Sequence, residues 1–88
     1  MIKDREIAMV NAASAALEFR AKYPRIWDED IIKKVFSTIN AKSELKIYGV
    51  AAANEVLKLR KSYQDLTDKQ ILQMFVDNIF EFVSRIDD

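Results

Sequence analysis

Hydrophobic residues recur three or four positions apart through most of this chain. In residues 31–42 they fall within an arc of about 140° when drawn as a helix, and polar residues cover the rest of the circumference. In residues 71–86 the apolar arc is wider, at about 180°. Both patterns are typical of amphipathic helices, so the sequence predicts a helix in each segment.

Two further segments are also predicted to be helical, and their patterns differ from each other. Residues 44–62 have one apolar side and one polar side, the latter with Asn54 and Lys58. In residues 4–22 the apolar positions nearly encircle the helix and leave only a narrow polar strip. A helix that is apolar on most sides must be covered on most sides, by its own chain or by another one.

Helix ends have their own signals. Thr67 with Gln70 three residues later forms a capping box, and Leu66 and Ile71 occupy the positions of a hydrophobic staple. Pro24 ends the first helix, because the residue before proline is disfavoured in the α conformation. The predicted helices are residues 4–22, 28–41, 44–62 and 67–86.

The two halves of the chain resemble each other at an offset of 40 residues. A pattern L-x-x-R-x-x-Y-x-x-x-x-D-x-x-I begins at Leu17 and again at Leu57. The residues identical at this offset in residues 7–39 are Ile7, Val10, Ala12, Ala13, Leu17, Arg20, Tyr23, Asp28, Ile31 and Ile39. A period of this length indicates repeated supersecondary units.

The short predicted connections make neighbouring helices antiparallel. We therefore predict one all-α domain over residues 1–88, built from two tandem helical hairpins at about 4–42 and 44–86. The four helices form either a four-helix bundle or a short open array.

The repeated Arg, Tyr and Asp have two interpretations. Arg20 and Arg60 lie in the last turn of a helix and Asp28 and Asp68 in the first turn of the next, where each charge is favourable, so each pair is expected to close a hairpin. Alternatively, basic clusters near Tyr23 and Tyr63 bind an anion or a nucleic-acid backbone. The residues of these clusters are Arg20, Lys22, Arg25, Lys58, Arg60 and Lys61.

Composition narrows the candidate chemistry. The chain has no cysteine and no histidine, which excludes thiolate and imidazole catalysis, and its single glycine excludes a glycine-rich phosphate loop. The 14 basic and 14 acidic residues cancel, which disfavours nonspecific nucleic-acid binding. The consecutive acids Asp28, Glu29 and Asp30 are interpreted as a favourable first helical turn rather than a metal site. We expect no enzymatic activity, no cofactor and no metal.

No apolar run approaches the roughly 20 residues that cross a bilayer. Glu6, Asn11 and Ser14 interrupt the N-terminal apolar run, which argues against a secretory signal peptide. A cytoplasmic protein is therefore expected, without membrane contact.

The clearest functional signal is where the halves differ. Ala15 aligns with Glu55, Asn40 with Phe80 and Ser43 with Val83, so the first and last helices carry more apolar surface than one stripe. Either these helices form the centre of the array, or the surplus surface is buried against another chain. The candidate interface residues are Ala8, Ala12, Ala15, Phe19, Phe80 and Val83. This pattern predicts a non-enzymatic protein–protein interaction or regulatory module that binds a protein partner, most simply a second copy as a homodimer.

Overall fold

A computed structural model of the chain describes residues 4–39 and 43–87. These residues form helices and turns with no strand, which confirms the all-α prediction. The helices are α1 (Asp4–Lys22), α2 (Asp28–Thr38), α3 (Ser43–Ser62), α4 (Asp68–Asp77) and α5 (Ile79–Asp87).

Helices α1 and α3 form the central pair and run parallel. Their C-terminal ends meet at one carboxylate, since Asp28 lies 3.1 Å from Arg20 and 2.8 Å from Lys61. Near their N-terminal ends, the Arg5 guanidinium lies 5.8 Å from the centre of the Tyr48 ring. The buried sides of this pair carry mostly small residues, which let two helices approach closely: Ala12, Ala13 and Ala16 on α1, and Gly49, Ala52 and Ala53 on α3.

Gly49 is needed where the end of α2 meets the central pair. A Cβ atom at this position would lie 2.7 Å from Cδ1 of Ile39 and 3.4 Å from Cβ of Ala12. The first distance is shorter than carbon atoms tolerate, so the missing side chain provides the space that Ile39 occupies. Glycine costs about 1 kcal/mol against alanine within a helix, and this contact is the compensating gain.

Helices α2 and α4 each contact both members of the central pair. From α2 the buried side chains are Ile31 and Val35, and from α4 they are Ile71 and Phe75. The N-terminus of α4 has the predicted capping box, in which the Thr67 hydroxyl accepts from the Gln70 backbone N–H at 3.2 Å. The amide oxygen of Gln70 accepts in return from the Thr67 backbone N–H at 2.8 Å.

The prediction of one helix over residues 67–86 was wrong. The chain turns at Asn78, whose φ of −112° and ψ of 13° are not helical, and whose side-chain amide donates to the Met74 carbonyl at 2.9 Å. Helix α5 then begins at Ile79. The turn brings the Phe82 ring edge-on against Phe75, with centres 5.5 Å apart. The wide apolar stripe is thus divided between two helices.

The predicted end of the second helix also differs. Helix α2 ends at Thr38, and Ile39 has extended backbone with φ −71° and ψ 114°. Of the predicted last residues, 40 and 41 lie outside the described ranges.

Candidate functional site

The first hairpin turn is closed by Arg20. Its guanidinium donates to the backbone carbonyls of Pro24 at 3.3 Å and Ile26 at 2.6 Å. It also forms an ion pair with Asp28 at 3.1 Å. One side chain at the end of α1 therefore binds the whole turn and the first residue of α2.

The second turn has the same arrangement 40 residues later. Arg60 donates to the carbonyls of Tyr63 at 3.0 Å, Gln64 at 3.4 Å and Leu66. It also donates to the Asp68 carboxylate at 2.5 Å. The predicted Arg–Asp contact across each turn is confirmed at both places.

These contacts use much of the basic clusters that sequence analysis proposed for anion binding. Arg20 and Arg60 are largely covered and donate within their own turns, and Lys61 forms an ion pair with Asp28. The Lys22 ammonium lies 5.7 Å from the centre of the Tyr23 ring. The remaining members, Arg25 and Lys58, are exposed. Two residues central to an anion site are thus already engaged, which weakens that alternative.

The structure separates the six candidate interface residues. Ala12 is 2% exposed and Val83 is 4% exposed, so both are part of the core and out of reach of a partner. The reason is that α1 is the central helix, which explains some of its surplus apolar surface. Phe19 packs partly against the core, and Phe80 on α5 is 71% exposed. Ala8 and Ala15 line an open groove.

This groove, the α1 groove, has a volume of about 700 Å³. It runs beside α1 toward the end of α2 and the first turn of α3. Its apolar lining consists of Ile7, Ala8, Ala12, Ala15, Ile39 and Leu45. Its polar lining consists of Asp4, Asn11, Thr38 and Glu44. Three alanines provide a smooth, shallow apolar surface.

The charge of the α1 groove is negative. Asp4 and Glu44 both line it, and no lysine or arginine does among the residues that the structure describes there. Each carboxylate lies in the first turn of its helix, where it is stabilised by the helix N-terminus. The sequence reveals each acid as a helix-start signal, but only the fold brings both to the same groove.

A smaller groove of about 220 Å³, the α3 groove, lies at the corresponding place in the second hairpin. Glu55, Asn78 and Arg85 line it, 40 residues after Ala15, Thr38 and Leu45 of the α1 groove. Here Phe82 from α5 occupies part of the space, with the Arg85 guanidinium 5.6 Å from the centre of its ring.

A polar cluster joins the N-terminal ends of the central pair to α5. The Asp87 carboxylate accepts from the Tyr48 hydroxyl at 2.5 Å and from Arg5 at 3.1 Å. The hydrogen bond to Asp87 is the main cause that raises the pKa of Tyr48 above its usual 10. Glu6 beside it is 3% exposed, with one carboxylate oxygen 3.9 Å from Nε of Arg5. Sequence reasoning missed this cluster, because its residues are up to 82 positions apart.

Within residues 4–39 and 43–87, no group of three acidic residues is placed to hold a metal ion. No helix in those ranges has the length and apolar character needed to cross a membrane. Comparisons with protein-family models, with curated proteins and with solved structures find no match. What the chain does must therefore be inferred from its own surfaces.

Proposed function

We propose that this protein is a small non-enzymatic helical module that acts by binding another protein chain in the α1 groove. The observation that carries the proposal is an open groove of about 700 Å³ with an apolar floor of Ala8, Ala12 and Ala15. Open apolar grooves between helices are a recurring site for docking a helix of a partner. Exposed apolar surface of this kind is otherwise unfavourable in water.

We further infer that the two hairpins are copies of one unit and together form a four-helix bundle extended by α5. The corresponding hydrogen bonds of Arg20 and Arg60 support this inference. So do the corresponding positions of the two grooves. The copies then differ mainly in what occupies the groove, which is partly filled in one and open in the other.

The test is a matched pair of variants used as bait in affinity capture from the native host, with mass spectrometry. Ala15→Glu places a charge in the groove, whereas Ala21→Glu places the same charge on an exposed part of the same helix. The hairpin accommodates glutamate at the first position, because Glu55 occupies the corresponding place in α3. We expect one identified protein to be retained by wild type and Ala21→Glu and lost by Ala15→Glu.

Circular dichroism should show the same helix content for both variants, which separates loss of binding from loss of fold. If all three baits retain the same identified proteins, binding does not use the groove and the proposal fails.

Self-association is a second candidate, favoured by the position of Ile7. This side chain is about half exposed and lies beside the alanines on the same helix. Two α1 helices in antiparallel contact would place each Ile7 near Ala15 of the other copy, a symmetric contact of the kind that closes a dimer. Light scattering at micromolar concentration would then give a mass near twice 10.2 kDa. A mass of 10.2 kDa at every concentration would remove this candidate and leave the groove for a different protein.

A further inference from the structure

We infer that the partner in the α1 groove is a basic amphipathic helix that presents an aromatic side chain and, about one turn later, a lysine or arginine. This inference rests on the proposed function and adds the chemistry of the partner. The reasons are the occupant of the corresponding groove within this chain and the charge of the α1 groove itself.

The α3 groove already holds such an occupant. Helix α5 contributes Phe82, whose ring meets Phe75 edge-on, and Arg85 three residues later. Arg85 and Glu55 line the same groove, so a cation of the occupant lies on the same side as a carboxylate of the groove. The chain thus shows which helical residues fit this place in a hairpin.

The α1 groove has the corresponding walls without that occupant. Ala15 stands where the second hairpin has Glu55, and Leu45 stands where α5 provides Arg85. The open volume is about 700 Å³, against about 220 Å³ in the α3 groove. The space and the apolar floor suit an aromatic ring supplied by another chain.

Charge selects among possible helices. Asp4 and Glu44 line the groove without a described cation among the lining residues, so a helix with lysine or arginine beside its apolar side is attracted and an acidic one is repelled. This disfavours α5 of a second copy, where the exposed Phe80 is flanked by Asp77 and Glu81. The partner is therefore a different protein with a basic helix.

The probes are three fluorescent 18-residue alanine-based helical peptides, titrated against the full chain and followed by anisotropy. The first carries phenylalanine, arginine three residues later and flanking lysines. The second has alanine in place of phenylalanine, and the third has glutamate in place of every basic residue. We expect the first peptide to bind at least tenfold more tightly than either of the others.

Variants of the protein locate the binding. Ala8→Tyr fills the groove, and α3 tolerates this side chain at the corresponding Tyr48. We expect it to weaken the first peptide at least tenfold, while Ala21→Tyr on the exposed part of α1 has no effect. Glu44→Gln should weaken the peptide about threefold, since an exposed charge pair contributes modestly. Glu18→Gln is the control for net charge, because Glu18 is exposed on α1 and does not line the groove.

Three results would overturn the inference. Equal binding of the glutamate peptide would show that the partner is not basic, and equal binding of the alanine peptide would show that no ring is required. An unchanged affinity in Ala8→Tyr would place the peptide elsewhere. In each case a host protein lost only by Ala15→Glu would still support the proposed function, so the two proposals fail separately. If the chain retained by Ala21→Glu and lost by Ala15→Glu is a second copy of this protein, the inferred partner is wrong.

Discussion

At the scale of single residues, two arginines have the most consequential contacts. Arg20 and Arg60 each bind carbonyl groups of a turn and a carboxylate at the start of the next helix. Buried carbonyl groups need hydrogen-bond partners, and a turn cannot supply them from its own backbone. A guanidinium suits this task because its donors point in several fixed directions in one plane, whereas an ammonium group is a single centre.

Replacing Arg60 by lysine should therefore destabilise the fold despite keeping the charge. Lysine cannot reach Tyr63, Leu66 and Asp68 together. Losing hydrogen bonds from a charged donor should lower the free energy of unfolding by roughly 2 kcal/mol, measured by urea denaturation. Lys58→Ala, at an exposed position of the same helix, is the control and should change stability by less than about 0.5 kcal/mol. Equal effects of the two changes would contradict this role of Arg60.

At the scale of helices, the division at Asn78 shapes the second half of the molecule. It allows α5 to place Phe82 against Phe75 and to leave Phe80 in solvent, although the two phenylalanines are only two residues apart. Their contributions to stability should therefore be very different.

Phe82→Ala should lower the free energy of unfolding by about 2 kcal/mol, which is less than a fully buried phenylalanine because Phe82 is half-buried. Phe80→Ala removes the same atoms from an exposed position and should cost under about 0.5 kcal/mol. Thermal and urea unfolding of both variants would measure the difference. Similar costs would mean that α5 does not pack as described.

Sequence patterns predict the helices where the signal is local. The capping box of Thr67 and Gln70, and the arginine and aspartate of each turn, involve residues within about two turns of one another, so their side chains meet in almost any fold. The end of α4 was missed, because asparagine is tolerated in helices and the apolar stripe continues through Asn78. Its position depends on Phe82 reaching Phe75, a contact made only after the chain has folded.

The same distinction applies to the α1 groove. The sequence indicates that α1 is apolar on nearly every side, and it predicts Ala8 and Ala15 as interface residues. It does not separate them from Ala12, which the fold buries against α3. The side that stays open depends on where Ile39 and Leu45 end up, and neither is near α1 in the sequence.

At the scale of the whole molecule, one cluster ties three helices together. Asp87 of α5 binds Arg5 of α1 and Tyr48 of α3. A hydrogen bond that requires the protonated phenol raises the pKa of Tyr48, and the negative charge of Asp87 acts in the same direction. This contribution to stability is present below the ordinary tyrosine pKa of 10 and is lost as pH rises through the higher folded value.

Titration of the Tyr48 ring carbon by NMR should therefore show a pKa above 10 in the wild type and a lower one in Asp87→Ala. The change removes both causes that involve Asp87 and leaves Arg5, which acts in the opposite direction. Tyr63, remote from Asp87 at the second turn, is the internal reference and should titrate identically in both proteins. An unchanged Tyr48 titration would mean that α5 does not reach this cluster.

The parallel pairing of α1 and α3 has a consequence during synthesis of the chain. The alanines of α1 pack against positions about 40 residues later, so their partners do not yet exist when α1 leaves the ribosome. At 5–20 residues per second, the wait is about 2–8 seconds. During that time a nearly all-apolar helix is exposed with only α2 to cover it. The nascent first hairpin is thus the stage at which this protein most needs a chaperone, and slower translation of α3 should increase its aggregation.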